Sequence, residues 1–251
     1  MPLLSCDAAG LEWRVVTELS GDPTALQEIL NKEDTHSKNQ AAFNLPSRLI
    51  AKIYLFRTIF NRGNGYAFTV DPDFMAVSTS VKYWDDVGKK FFAKYKGIDK
   101  LYDKNLAAIA QGLPLVGPLG REWLIPWTTK KRLNKFTGEI EEEAALPITK
   151  AVNYPVQGTG HDIMTIARVS FNNRLKKSPY SDRTLWRSTV HDSLVLDAPS
   201  AYVQPLTALF HEVFRDIPAN IKKLFGYEWK VPLTCEVKAG PNLKNMNEVK
   251  I

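Results

Sequence analysis

Strand-like apolar runs lie near both ends of this 251-residue chain, with mainly helical patterning between them. Pro2 to Asp7 reads as a short buried strand, and LWRSTVHDSLVLDAP as two short strands meeting at His191-Asp192. A last strand is expected near Leu233 to Lys238, and a small hairpin between about Leu113 and Trp127. A doubly wound sheet needs regular alternation of strand and helix, which this order lacks. The expected class is α+β, a small antiparallel sheet with helices and a mainly helical section.

After Gly10, LEWRVVTELSG places Leu11, Val15, Val16 and Leu19 at helical spacing and stops at Gly21-Asp22-Pro23. The strand thus delivers Asp7 to a turn. A polar stretch through Asp34-Thr35-His36 leads to a helix starting at Arg48, capped by Asn44 or Ser47 and ended by Gly63-Asn64-Gly65. Helical patterning continues from Val77 to about Gln111. TTKKRLNKFTGEIEEEA joins a basic block to an acidic one and reads as a solvated loop or hairpin tip. A turn at Pro155 to Gly158 is expected to open an amphipathic helix, and helices between Val203 and Phe225 to break at Pro218.

The 33 Lys and Arg against 27 Asp and Glu give a net charge of +6, which suits a polyanionic partner without requiring one. Cys6 and Cys235 form no CxxC or Cys/His cluster, so neither a disulfide framework nor a zinc site is indicated, and a reduced, intracellular setting is the default. No segment approaches the roughly 20 apolar residues of a membrane span, and MPLLSCDAAG lacks the basic start and apolar run of a leader. A soluble protein is expected.

Asp7 ends an apolar strand at a small-residue turn, and Asp192 sits at a hairpin tip with apolar arms. Either alone reads as an ordinary turn aspartate. If their strands are neighbours, the two carboxylates can jointly hold two divalent ions about 3.5–4 Å apart, the arrangement used for in-line phosphoryl transfer.

RLIAKIYLFRTIF raises a second possibility. As a helix it puts Arg48, Lys52, Phe56 and Phe60 at intervals of four along one gently turning edge roughly 18 Å long. A nucleoside triphosphate along that edge would meet cations at its phosphates and rings at its sugar and base. The cations lie at the end where the helix dipole favours anions. The plainer reading is an amphipathic helix with snorkelling cations and core phenylalanines.

Together these segments resemble the polymerase module of a family A (Pol I-like) DNA polymerase, particularly the bacteriophage type. CDAAGLEWRVVTELSGD is similar to the first palm motif, implying Asp7 as metal ligand and Glu12 as the residue crowding the sugar 2′ position. RLIAKIYLFRTIF is similar to the fingers helix, implying that Arg48 and Lys52 hold the triphosphate, that Phe56 abuts the sugar and that Phe60 belongs to the nucleotide-binding residues. His36, in DTH, matches a fingers histidine at the incoming phosphates. NYPVQGTGHDIM implies template-primer contacts by Asn153 and Gln157; VHDS implies Asp192 as the second metal ligand and His191 beside the primer terminus. The resemblance implies palm at 1–26 and 151–251 and fingers at 27–150. It also implies two Mg2+ ions, or Mn2+, with primer-template DNA and dNTPs as partners and Lys52 assisting pyrophosphate departure. Lys89, Lys90, Lys94, Lys130, Lys131 and Arg132 are candidates for contacts to phosphate backbones.

Several positions depart from the family pattern. Phe60 replaces a common Tyr, so sugar discrimination would rest on the packing of Glu12 alone; Arg57 and Asn61 replace Gly, and Ser193 replaces Glu after the catalytic Asp. Phe56, rather than Tyr, implies selection against dideoxynucleotides. No thumb, exonuclease or earlier palm strand precedes Asp7, so an unpaired sheet edge is expected beside Leu3, Leu4 and Cys6. From that edge follows the expectation of a C-terminal piece of a split polymerase, completed by a separate thumb-bearing or exonuclease subunit in the host cytoplasm. A DNA-binding or assembly subunit that has lost turnover and a single-subunit RNA polymerase are the alternatives.

Overall fold

The computed structural model describes residues 1–62, 64–133 and 138–250, leaving aside the side chains of Asn61, Arg132 and Leu133. The first elements are β1 (Leu3–Ala8), α1 (Leu11–Ser20), α2 (Pro23–Leu30), α3 (Thr35–Phe43) and α4 (Arg48–Asn61). Then come α5 (Gly65–Thr69), α6 (Pro72–Met75), α7 (Val81–Lys94), α8 (Lys96–Ala110), β2 (Leu115–Val116) and β3 (Glu122–Trp123). The chain continues with β4 (Thr128–Leu133), β5 (Ile140–Ala145), α9 (Ile148–Leu175), β6 (Leu185–Val190) and β7 (Ser193–Asp197), and finishes with α10 (Val203–Phe225), β8 (Cys235–Asn242) and β9 (Asn245–Glu248). Two compact units result, Met1–Val15 with Gln157–Ile251 and Val16–Val156, the divisions falling inside α1 and α9.

The first unit is built on a five-stranded antiparallel sheet in the order β6-β7-β1-β8-β9. LLSCDA alternates, burying Leu4, Cys6 and Ala8. The expected unpaired edge beside Leu3, Leu4 and Cys6 does not exist. β1 is the central strand, running from Leu3↔Asp197 to Asp7↔Ser193 against β7 and from Leu3↔Gly240 to Ala8↔Cys235 against β8. The missing neighbour comes from the far end of the chain, and the sheet-edge argument for a separate subunit falls with it. Phe210 of α10 stacks on Phe171 of α9, with ring centroids 3.9 Å apart. Helix α10 also runs unbroken through Pro218, correcting the expected break. Val213, Phe214, Ile217 and Ile221 are buried on either side of the proline, so burial of that face outweighs the missing backbone donor.

The second unit is mainly helical. Its core is aromatic: Tyr54 of α4 stacks on Phe68 at 5.0 Å and on Trp84 at 5.9 Å, while Phe74 meets Trp84 edge-on at 5.2 Å. The helical patterning from Val77 divides into α7 and α8 at Tyr95. The Tyr95 hydroxyl lies 2.9 Å from Glu28 Oε2 and 2.8 Å from Asn39 Oδ1. Gly97 lets its backbone approach Asp22, where an added Cβ would come within 2.8 Å of Asp22 Cα; its amide donates to Asp22 Oδ2 at 2.7 Å.

Three further expectations change. The polar stretch at Asp34-Thr35-His36 opens a helix of its own, α3, with Asp34 as N-cap and Asn44 as its left-handed C-cap, so Ser47 alone caps α4. α4 ends at Asn61 with Arg62 left-handed, and the expected stop at Gly63 lies outside the described residues. No turn occurs from Pro155 to Gly158, because α9 passes through both. Pro155 cannot donate to the carbonyl of Ala151 one turn earlier, and the side-chain amide of buried Asn105 donates to that oxygen instead, at 2.7 Å.

The basic and acidic blocks form the β4–β5 hairpin, Lys130 opposite Glu143 and Lys131 opposite Glu142, with the tip at 134–137 outside the described residues. Among the described residues no helix is long and apolar enough to cross a membrane.

Candidate functional site

In the first unit the strand register brings the two aspartates together. Asp7 faces Ser193 across the β1–β7 ladder, and the amide of Ala8 donates to the carbonyl of Asp192 at 2.9 Å. His191, at φ 50°, occupies the left-handed region where the β6–β7 turn begins, so the turn presents Asp192 from a constrained backbone. Burial, then the negative charge of Asp7, pushes the Asp192 carboxyl above its ordinary range, while His191 opposes. The Ser193 hydroxyl donates to Asp7 Oδ2 at 2.7 Å.

Glu12 stands in the first turn of α1, and the amide of Gln157 on α9 donates to its Oε1. Glu12 thus has a side-chain partner although Phe60 offers it no hydroxyl. Burial raises the Glu12 carboxyl, Gln157 lowers it, and the charges of Asp192 and His191 act on it in opposite directions. Asp192, His191, Glu12 and Gln157 therefore form one electrostatic neighbourhood.

The donor set fits a hard divalent cation. The two carboxylates, Asp7 on β1 and Asp192 in the β6–β7 turn beside it, repel each other, as the raised Asp192 carboxyl expresses, and among the described residues neither is ion-paired with Lys or Arg. Among the described residues no group of three or more His, Cys, Asp or Glu could hold a metal. Further ligands would come from substrate and water, as is usual for Mg2+.

In the second unit α4 turns one edge outward. Its buried face is Ala51, Tyr54, Leu55, Thr58 and Ile59, whereas Arg48 and Lys52 are exposed and Phe56 and Phe60 half-buried. The two phenylalanines thus lie outside the core stripe. Lys52, Phe56 and Phe60, with Leu49, Ile53 and Arg57, line an open groove of about 500 Å³. Arg57, in place of the expected Gly, pairs with Asp71 at 2.5 Å.

His36 on α3 sets its ring 6.1 Å from that of Phe56, with Nδ1 buried and without a hydrogen-bond partner. Burial, then the charge of Arg48, lowers its pKa; Asp34 opposes and Lys52 adds. Arg48 is engaged by Asp34, a residue that the sequence reading passed over. Its signal was available, since Asp34 and Ser37 open α3 with the composition of a helix start.

Asn153, half-buried with its Oδ1 lacking a partner, precedes exposed Gln157 by four residues on α9. Of the lysines expected at phosphate backbones, Lys94 is committed elsewhere, 2.8 Å from buried Glu28 and 2.7 Å from Asn39. Lys89 pairs with Asp86 at 3.0 Å, and the Arg132 side chain lies outside the described residues.

A model of DNA polymerase family A matches residues 1–245. The chain belongs to DNA polymerase family A. It is 23% identical over 252 residues to DNA polymerase I of Chloroflexus aurantiacus, covering 97% of this chain and 24% of that protein. It is 25% identical over 241 residues to the thermostable DNA polymerase I of Thermus thermophilus, covering 95% and 26%. The chain spans about a quarter of the length of these curated relatives. Among solved structures, the POL domain of Pol1 from M. smegmatis, in complex with DNA primer-template and dNTP, matches with a TM-score of 0.74. That match has 20% identity over 96% of this chain and 40% of the other, which shows a shared fold.

Proposed function

We propose that this family A chain catalyses DNA-templated DNA synthesis. The observation that carries the reading is the β1–β7 register, which sets Asp7 and Asp192 side by side. In the reaction the primer 3′-hydroxyl oxygen bonds to the α-phosphorus of a dNTP, the bond from that phosphorus to the bridging oxygen breaks, and pyrophosphate leaves. Divalent ions, Mg2+ or Mn2+, held by Asp7 and Asp192 would ease deprotonation of the attacking hydroxyl and neutralise phosphate charge.

The protein's own groups bind and orient. Arg48 and Lys52 hold phosphate oxygens, His36 contacts them, and Lys52 offers a cation or a proton to the departing pyrophosphate. Phe56 and Phe60 wall the sugar and base. Glu12, steadied by Gln157, crowds the 2′ position, which favours deoxynucleotides over ribonucleotides. Asn153, Gln157 and His191 contact the primer-template. In this reading the first unit serves as palm and the second as fingers, in a phage-type enzyme working in the cytoplasm.

The test is primer extension on primed DNA with Mg2+ and dNTPs, comparing the chain with Asp192→Ala. Extension abolished by the substitution is expected. Equal extension by both proteins would refute the carboxylate assignment. Primer binding without extension, even with a thumb-bearing polymerase chain added, would select a DNA-binding subunit.

A further inference from the structure

Arg48 is not a free cation. Its Nε donates to Asp34 Oδ2 at 2.6 Å and its Nη2 to Asp34 Oδ1 at 3.1 Å, a bidentate pair using the fork that would otherwise grip a phosphate. The carboxylate is also fixed in place. As N-cap of α3 it accepts from the His36 amide at 3.1 Å and from the Ser37 hydroxyl at 2.7 Å, so both oxygens are oriented before Arg48 is considered. Lys52, the next cation on the α4 edge, makes no ion pair among the described residues. The Asp34–Arg48 pair is open to water, its side chains 56% and 42% exposed for Arg48 and Asp34. Such pairs are weak enough to be exchanged for a more highly charged anion.

We propose that Asp34 is an intramolecular competitor for phosphate at Arg48, so that a polyphosphate must displace the Asp34 carboxylate before Arg48 can hold it. The inference rests on the reading of the α4 edge as a triphosphate site. Displacement exchanges one set of charge-assisted hydrogen bonds for another and leaves α3 capped through the His36 and Ser37 donors. Asp34 thereby sets a threshold that anions of low charge do not cross. It acts as a positioning residue, through Arg48.

The experiment is calorimetric titration of the full chain with inorganic tripolyphosphate and with a dNTP, using wild type, Asp34→Asn, Arg48→Ala and the double variant. Asparagine keeps the N-cap while removing the charge. Asp34→Asn is expected to bind both ligands about two- to fivefold more tightly, the gain shrinking in high salt and vanishing in the Arg48→Ala background. A merely structural role would weaken binding. Unchanged or weaker binding by Asp34→Asn, with Arg48→Ala still impaired, overturns the competitor and leaves the triphosphate site standing. An equal gain with and without Arg48 also overturns the competitor, since it reports only general charge. Arg48→Ala binding as wild type overturns the triphosphate reading and the inference together.

Discussion

Ser193 donates its hydroxyl to Asp7 across two neighbouring strands, at 2.7 Å. This side chain orients one oxygen of a carboxylate proposed to hold metal. Ser193→Ala should leave the fold intact and raise the Mg2+ concentration for half-maximal extension by about tenfold. A Mg2+ titration of extension rate checks it, and an unchanged midpoint would show that Asp7 needs no such support.

His36 carries a pH dependence whose sign follows from its surroundings. Burial, then Arg48, holds the imidazole below its unfolded value of about 6.5. Between the two values the unfolded chain binds more protons, so this contribution to stability is complete above about pH 6.5 and is lost as pH falls through the lowered folded pKa. Asp34 opposes this shift, whereas Lys52 and Arg48 reinforce it. His36→Gln should flatten the acid limb of the melting-temperature profile, and parallel profiles would contradict the assignment.

The Gln157 amide donates to Glu12 and so fixes where its carboxylate points. Without it, burial and the charge of Asp192 favour a protonated, loosely placed Glu12. Gln157→Ala should lower discrimination between deoxy- and ribonucleotides by about ten- to a hundredfold, the scale of a misplaced positioning group. The ratio of kcat/KM for matched dNTP and rNTP measures it.

The Asn105 amide repairs the hydrogen bond that Pro155 cannot make. Asn105→Leu strands the buried Ala151 carbonyl and should cost about 1–3 kcal/mol in denaturant unfolding. Adding Pro155→Ala restores a backbone donor and should recover part of that loss. Additive losses in the double variant would mean that the two residues act independently.

The legible parts of the chain were those with local signals. Asp7 and Asp192 stood at the ends of short apolar strands, and the Arg48 to Phe60 stripe was visible from spacing; whether its phenylalanines faced the core was settled by the packing of Tyr54, Leu55 and Ile59. What stayed hidden was non-local. Nothing near Leu3 announces that its partner is Gly240, and nothing near Pro155 announces Asn105. α3 hid for another reason, since THSKNQAAF buries only Thr35, Asn39 and Phe43 and carries no apolar stripe to read. The Gln157 contact with Glu12 joins side chains far apart in sequence, so spacing gave no access to it.

The central position of β1 also orders events in time. Its ladders close with Ser193 on one side and with Cys235 on the other, whereas the second unit is a single run from Val16 to Val156. On a ribosome the contiguous unit is complete before either partner strand of β1 has been made. β1 must therefore wait, and the closures that finally capture it span most of the chain, at the entropic cost that long loops carry. The carboxylate pair is consequently among the last features of the molecule to come into being.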